Sequence, residues 1–387
     1  MAQKDFDLVI HGASGFTGRL VAEYLARRAP AEGLRWAMSG RNLVKLAEVR
    51  DAIGAPANTP LLLADAADPA SLAALAARTR VVLTTVGPYQ LYGEPLVRAC
   101  AEAGTDYADL CGEPLWMRAM IDRHQATAQA SGARICFSCG FDSIPFELGV
   151  VLLQEECRKR FGQPAPRVKG RVRAMQGGFS GGTAASLKET LATVGRDPAL
   201  LARLTSPFAL TPGFEGPDQP QDSVRYDEAS GSWAAPFIMA PINTKNVHRA
   251  NFLLGHAWGR DFTYDELVLT GPGEAGEQMA KALAGTKMLG TPNDPQPGEG
   301  PSAEERKNGF YDILLIAEMP DGQSVRYGVK GRYDPGYGST SRMLSETGMA
   351  LLDSQGTGGI WTPGALLGAD LARRLGSHAE IAFAPEN

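Results

Sequence analysis

The sequence predicts an α/β protein in two parts. An N-terminal, doubly wound parallel sheet is followed by a second α+β domain built on a mainly antiparallel sheet. Three observations predict it. The chain opens on a short apolar strand that runs into three glycines spaced by three, Gly12-Ala-Ser14-Gly15-Phe16-Thr17-Gly18. Apolar runs and helical patterns then alternate as far as residue 145. Beyond that point strands alternate polar with apolar residues, and Asp321-Gly322 marks a hairpin.

The first strand, near 7–11, leads through the glycines into a helix beginning Arg19-Leu-Val-Ala. In this context Gly12 allows the tight turn, Gly15 lets the backbone approach a pyrophosphate, and Gly18 lets helix and strand pack closely. The pyrophosphate rests on unpaired helix N–H groups, with Ser14, Phe16 and Thr17 in the loop. Strand 35–40 follows, then a helix over 42–53, strand 61–65 and a helix capped near Asp68-Pro69. Strand 80–87 leads to a helix over 93–103. Strand 106–110, helix 114–131 and strand 134–139 complete the alternation. Strands this apolar are buried on both faces, as in a Rossmann sheet, whose ligands lie at the carboxyl ends of its strands.

Those ends nominate the cofactor contacts. The second strand ends at Ser39-Gly40-Arg41-Asn42, with no acid for a ribose diol. Arg41, with Asn42, Ser39 and Lys45, suits a 2′-phosphate, because a guanidinium matches phosphate geometry, so the expected cofactor is NADP(H). The alternative for Arg41 is a solvated residue at a helix start. Asp65 ends the third strand and either reaches the adenine edge or caps the next turn. Val86, Gly87 and Pro88 end the fourth, beside the ribose and nicotinamide.

The second domain is expected over 146–338. A helix over 145–160 precedes strands at 167–175, 224–227, 262–270, 309–319 and 323–333. Helices fall near 183–195, 241–256, 273–287 and 339–353. Residues 339–387 are expected as a helical segment packing back on the first domain. The Pro- and Gly-rich stretch 291–301 reads as a surface linker, or as a lid over the cleft.

Composition narrows the function. The chain has 387 residues and a net charge of −5, which argues against nucleic acid or an anionic membrane as main partner. No apolar run reaches a membrane span. Five cysteines, an odd number, and the absence of a leader pattern after Met1 suggest a cytoplasmic protein with reduced thiols. Cys136 and Cys139 form a C-x-x-C, but on a strand they would point to opposite faces. The histidines show no metal-ligand spacing, so no metal is expected. His11 reads as a packing residue inside the first strand.

Chemistry is expected from groups after strands four to six. Tyr89 and Tyr92 are candidate proton or hydrogen-bond donors, against packing roles for each. Glu113 reads as a helix-start acid. Asp142 and Ser143 precede a helix and can cap it; Asp142 is also a candidate substrate contact. Gly177–Gly182 precedes a helix with Thr183 and Ser186, and reads equally as an anion site or a plain turn. Lys188, Lys245 and Arg249 face the cleft or solvent. Gly178-Phe-Ser180-Gly-Gly182 formally matches G-x-S-x-G, but the surrounding sheet of a hydrolase is not evident. No Tyr-x-x-x-Lys occurs.

The sequence resembles the saccharopine dehydrogenase-like oxidoreductases, and among them the branch of trans-acting enoyl reductases. The resemblance is carried by Gly12–Gly18, Thr84–Tyr89, Cys100–Glu113, Cys139–Pro145, Ser180–Thr183, Ala240–Thr244 and Asp334–Gly338. It implies a Rossmann domain, a substrate and dimerisation domain, NADPH and a homodimer. It also implies a CoA-bound or carrier-bound enoyl substrate, with an acyl carrier protein as partner. Two alternatives stay open: C–N reduction of an amino acid paired with an oxo acid, and an NADP(H) sensor without turnover.

Overall fold

Parallel strands and helices alternate along the first 161 residues. They run β1 (Phe6–His11), α1 (Phe16–Ala31), β2 (Trp36–Gly40), α2 (Leu43–Ala52), β3 (Leu61–Leu63), α3 (Pro69–Ala77), β4 (Thr79–Thr84), α4 (Tyr89–Tyr92), α5 (Glu94–Ala103), β5 (Asp106–Ala108), α6 (Pro114–Ser131), β6 (Arg134–Cys136) and α7 (Ile144–Phe161). The computed structural model describes residues 4–178, 181–286, 291, 295–296 and 298–386. In the first sheet these six strands stand in the order β6-β5-β4-β1-β2-β3, and a strand from late in the chain adds a seventh beside β6, all parallel. This is a doubly wound sheet with its switch point between β1 and β4. Leu8, Val9 and Ile10, and Val81, Val82 and Leu83, are fully buried because helices cover both faces.

Strands four to six stop short of their apolar runs. Asp109 replaces the ladder beyond β5: its Oδ1 accepts from the Cys111 and Ser138 N–H groups, and its Oδ2 accepts from the Tyr107 hydroxyl. Ser138 adopts a left-handed φ of 59°. This turn corrects the expectation for the C-x-x-C. The strand ends at Cys136, and Cys139 Sγ comes within 3.4 Å of the Cys136 carbonyl, both thiols fully buried.

The second sheet gathers later elements: β7 (Arg167–Gln176), α8 (Gly181–Arg196), α9 (Leu200–Thr205), β8 (Arg225–Asp227), β9 (Ser232–Pro236), α10 (Ala240–Leu253), β10 (Thr263–Gly271), α11 (Gly273–Gly285), α12 (Ala303–Asn308), β11 (Phe310–Glu318) and β12 (Ser324–Arg332). The chain closes with α13 (Thr340–Asp353), β13 (Gly359–Trp361), α14 (Pro363–Arg374) and β14 (Ile381–Glu386). The sheet order is β14-β12-β11-β7-β10-β9-β8, antiparallel at every pair except β7–β10.

Two helices tie the sheets together. Helix α7 leaves the first sheet and lies on the second; a Cβ at Gly149 would sit 2.7 Å from Leu315 and 3.0 Å from Val329. Helix α13 lies on the first sheet, with Gly348 against Leu83 and Leu8. Glu346 on α13, fully buried, accepts from the Tyr24 hydroxyl and pairs with Arg28 and Arg374. The stretch after 339 is not helical throughout. β13 pairs with β6 on the first sheet and β14 with β12 on the second.

Candidate active site

The glycine loop has the shape of a pyrophosphate cradle. Gly12 has φ +87°, and a Cβ there would lie 2.7 Å from Val86 Cγ2. A Cβ on Gly18 would collide with the Gly12 carbonyl. A Cβ on Gly15 would meet only the Gly12 oxygen, at 3.4 Å, so its outer side is open. No side chain caps α1 at Gly15. Its first-turn N–H groups therefore face the loop, which suits the two negative phosphates of a dinucleotide. Ser14 and Gly15 are exposed, Phe16 and Thr17 half-buried.

At the end of β2, Arg41 is exposed and has no ion-pair partner among the described residues. Asn42 N-caps α2, accepting from the Lys45 N–H at 3.0 Å. Ser39 does not reach the phosphate position expected of its side chain. It is fully buried, with Oγ 3.2 Å from His11 Nδ1, and its carbonyl accepts from the Gly12 and Ala13 N–H groups. Ser39 supports the loop from beneath. His11 packs there, and burial pushes its pKa down to about 4, so the ring is neutral. Asp65 caps its own turn, accepting from the Ala67 N–H.

The segment after β4 places the two tyrosines in different surroundings. Val86 and Pro88 are half-buried and Gly87 exposed along the cleft. Tyr89 is buried at 5 % exposure, and its hydroxyl is used twice: it donates to the Thr84 carbonyl at 3.3 Å and accepts from the Leu110 N–H at 3.1 Å. Burial holds this phenol well above its ordinary pKa, and both bonds tie it to the backbone after β4 and β5. Tyr92 is 44 % exposed. It borders a small depression with His11, Ala66, Thr84, Val86 and Tyr107, among β1, β4 and β5.

Glu113, read from sequence as an acid at the start of its own helix, instead holds α4. Its Oε1 accepts from the Tyr89 N–H and its Oε2 from the Gln90 N–H, each at 2.9 Å. Ser186 on α8 donates to Oε1 at 2.7 Å. Gln90 in turn binds Thr190 and Thr193 of α8. One buried carboxylate thus joins the cofactor loop to the second domain. Thr183 meets the Tyr337 hydroxyl at 3.0 Å. The Tyr337 ring packs edge-on against Phe16 at 5.2 Å, and the Arg306 guanidinium lies 5.7 Å from the Phe16 ring centre. Tyr337, Ser186 and Arg306 were not singled out for these contacts, which join residues far apart in sequence.

Asp142 lies between β6 and α7, half-buried, with no hydrogen-bond partner among the described residues. Burial pushes its pKa up to about 7. Ser143 does not cap α7 with its side chain; its Oγ accepts from Asn246 Nδ2 at 2.8 Å. Lys245 and Arg249 are buried rather than in the cleft. Lys245 donates to the Pro241 carbonyl, and Arg249 to the carbonyls of Leu210 and Ile360. Lys188 is exposed. Ser180 of the G-x-S-x-G string, and most of 287–297, lie outside the described residues. Near them, a Cβ at Gly300 would sit 2.5 Å from the Phe16 ring.

Residues 8–136 match the saccharopine dehydrogenase NADP-binding domain. Trans-acting enoyl reductases of Mycobacterium bovis and Mycobacterium ulcerans are 37 % and 36 % identical to this chain; each comparison covers 97 % of this chain and 96 % of the relative. The chain belongs to the trans-acting enoyl reductase family of saccharopine dehydrogenase-like proteins. A family member of Mycobacterium tuberculosis H37Rv, provisionally named a trans-acting enoyl reductase, is 42 % identical over 403 aligned positions, covering 96 % of both chains. Among solved structures, apo saccharopine dehydrogenase (L-Glu forming) of Saccharomyces cerevisiae shares the fold. Its TM-score is 0.57 at 10 % identity, over 98 % of this chain and 99 % of that one. As a member of this family the protein is an NADP(H)-dependent oxidoreductase. No described helix is long and apolar enough to cross a membrane.

Proposed function

We propose that the protein reduces the C=C bond of an enoyl thioester presented by a carrier, with an acyl carrier protein as the partner, and acts as a cytoplasmic homodimer. One observation carries this reading: 36–42 % identity along essentially the whole chain to trans-acting enoyl reductases. The cleft supports it against C–N chemistry. An amino acid condensed with an oxo acid carries several carboxylates and calls for converging cations, yet Lys245 and Arg249 are committed to backbone carbonyls in the interior. Exposed Leu91, Tyr92 and Leu191 instead leave apolar surface on α4 and α8, which Gln90 joins.

NADPH, when bound, supplies the hydride. The protein's part is to hold and to protonate. Gly12–Gly18 and the start of α1 hold the pyrophosphate, and Arg41 with Asn42 and the Lys45 side chain takes the 2′-phosphate. Val86–Pro88, fixed through Glu113, line the nicotinamide side. Asp142 holds a proton for the substrate α-carbon. Closure of α8 and Tyr337 over the loop excludes water from the reacting centre.

The test is loss of NADPH absorbance with an enoyl thioester panel, beside amino acids paired with oxo acids. Turnover on enoyl thioesters alone is expected. Turnover on the amino acid pairs refutes the reading in favour of C–N chemistry. Tight NADPH binding without turnover on either panel refutes it in favour of a sensor.

A further inference from the structure

Three residues of the second domain converge on Phe16, which follows Gly15 in the cofactor loop. A Cβ on Gly300 would stand 2.5 Å from the Phe16 ring, Tyr337 meets the ring edge-on at 5.2 Å, and the Arg306 guanidinium lies 5.7 Å from its centre. The surrounding backbone fixes Arg306 in this place. Ser302 and Glu305 close a capping box on α12, which ends two residues beyond Arg306. The Arg306 carbonyl accepts from the Asp334 N–H at 2.9 Å, and its Nη1 donates to the Pro301 carbonyl. One residue before Gly300, the Glu299 carbonyl accepts from the Gly181 N–H at 3.3 Å, which ties the same stretch to the start of α8.

The cation itself is unmatched. Arg306 is half-buried and makes no ion pair among the described residues. The acids beside it in the chain and across the Asp334 contact are engaged elsewhere. Asp334 Oδ2 and Oδ1 accept from the Tyr337 and Gly338 N–H groups at 2.9 and 2.7 Å, and Glu305 Oε2 accepts from the Ser302 N–H at 2.8 Å. At the far end of α1 the arrangement differs: Arg28 and Arg374 both pair with the buried Glu346. A guanidinium carries five N–H donors, and Arg306 spends one of them on Pro301. Drawing a cation partly out of water without a partner is unfavourable, and an anion at the loop would offset that cost. The first-turn N–H groups of α1 are also uncapped by any side chain. Donors of positive sign from both parts of the chain therefore meet at Phe16.

We propose that Arg306 is a cofactor-binding residue that the second domain contributes to the pyrophosphate site, so that the dinucleotide is gripped between the N–H groups of α1 and this guanidinium. This rests on the placing of the pyrophosphate at Gly12–Gly18. A guanidinium matches phosphate oxygens through paired hydrogen bonds. Arg41 follows β2, whereas Arg306 stands over Phe16 at the start of α1. The two arginines therefore take different phosphates: Arg41 the 2′-phosphate, which only NADP(H) has, and Arg306 the pyrophosphate, which NAD(H) shares. Because α12 lies on the second domain, a bound dinucleotide ties that domain to the first.

The experiment reads binding rather than turnover. NADPH and NADH are titrated by fluorescence, and adenosine 2′-monophosphate, which has the 2′-phosphate but no pyrophosphate, is measured by competition. Arg306→Gln is expected to raise the Kd of NADPH and of NADH about tenfold each, the low end for a bond to a charged group because the site is half-exposed, and to leave the adenosine 2′-monophosphate Kd within about twofold. Arg306→Lys keeps the charge and should recover all but about threefold. The NADPH Kd of wild type should also rise more steeply with salt than that of Arg306→Gln. Gly15→Val is the control for the loop. A Cβ there meets only the Gly12 oxygen, at 3.4 Å, so the fold accepts the side chain while the pyrophosphate space is filled, and both dinucleotides should be lost. An NADPH Kd within about twofold of wild type in Arg306→Gln, a loss confined to NADPH, or an equal loss for adenosine 2′-monophosphate overturns the inference. Tight NADPH binding retained in Gly15→Val overturns the placing of the pyrophosphate, and the inference with it.

Discussion

Glu113→Gln is the sharpest test of how the cofactor loop is held. The side chain is 2 % exposed and takes three hydrogen bonds, from the Tyr89 and Gln90 N–H groups and from Ser186. Bonds to a charged acceptor contribute about 1.5–3 kcal/mol each. Glutamine keeps one oxygen but turns an NH2 group toward one of the two amides. One bond is lost, a buried donor faces another donor at about 1–3 kcal/mol, and the remaining bonds lose their charge assistance. The expected loss is about 3 kcal/mol, less than the sum because Gln90 is only half-buried and admits water. Ser186→Ala removes one bond and leaves both amides satisfied, so it should lose only about 1 kcal/mol. A two-part chain need not unfold in one step, so the assay is local. Amide hydrogen exchange over 86–92 should accelerate about 100-fold in Glu113→Gln, and the NADPH Kd should rise about tenfold, equivalent to about 1.4 kcal/mol. Exchange rates within a factor of three of wild type would refute the claim that this carboxylate holds α4.

Three further outcomes are expected. Arg41→Glu should raise the NADPH Kd about 30-fold or more while leaving NADH binding within a few-fold, by titration of cofactor fluorescence; equal losses would remove Arg41 from the 2′-phosphate site. Tyr89→Phe should retain activity within a few-fold and lose about 1 kcal/mol of stability, since its hydroxyl serves Thr84 and Leu110; a 100-fold fall in kcat would restore it as a proton donor. Glu147, buried on α7, accepts from Thr362 and from the N–H groups of Gly364 and Ala365, and burial pushes its pKa up to about 7. A carboxyl raised in the folded state binds its proton more tightly there, so its stabilisation is present below the unfolded pKa and is lost as pH rises through about 7. Wild type should therefore lose about 2–3 kcal/mol more than Glu147→Gln between pH 5 and pH 8, followed by thermal unfolding.

The legible part of this protein was the part written in local pattern. The glycine spacing sits between a strand and a helix, and each glycine's space is set by neighbours already visible: Gly18 against Gly12, Gly12 against Val86. Arg41 stood out because the position after β2 is where a doubly wound sheet meets one part of a dinucleotide, and the structure leaves that side chain exposed. The alternation of apolar runs with helical patterns predicted the parallel order, since connections of that length return to the same sheet. Strands β13 and β14 were missed because each is an edge strand whose place is set by its partner, β6 or β12, rather than by its own periodicity.

The fates of the side chains were written elsewhere in the chain. Tyr89 looks available at the end of a strand until Leu110, 21 residues on, donates to its hydroxyl. Glu113 looks like the acid of its own helix until its oxygens are found 24 residues back on α4 and 73 residues forward on α8. One signal was present and unread. The run Asn243-Thr-Lys-Asn246-Val-His-Arg-Ala-Asn251 is polar on every side, yet nearly all of it is buried. A helix of that composition cannot be buried by the hydrophobic effect alone, and each polar group inside needs a partner. The polar run therefore implied partners elsewhere before any coordinate was known, and Glu266 and Ser143 are two of them.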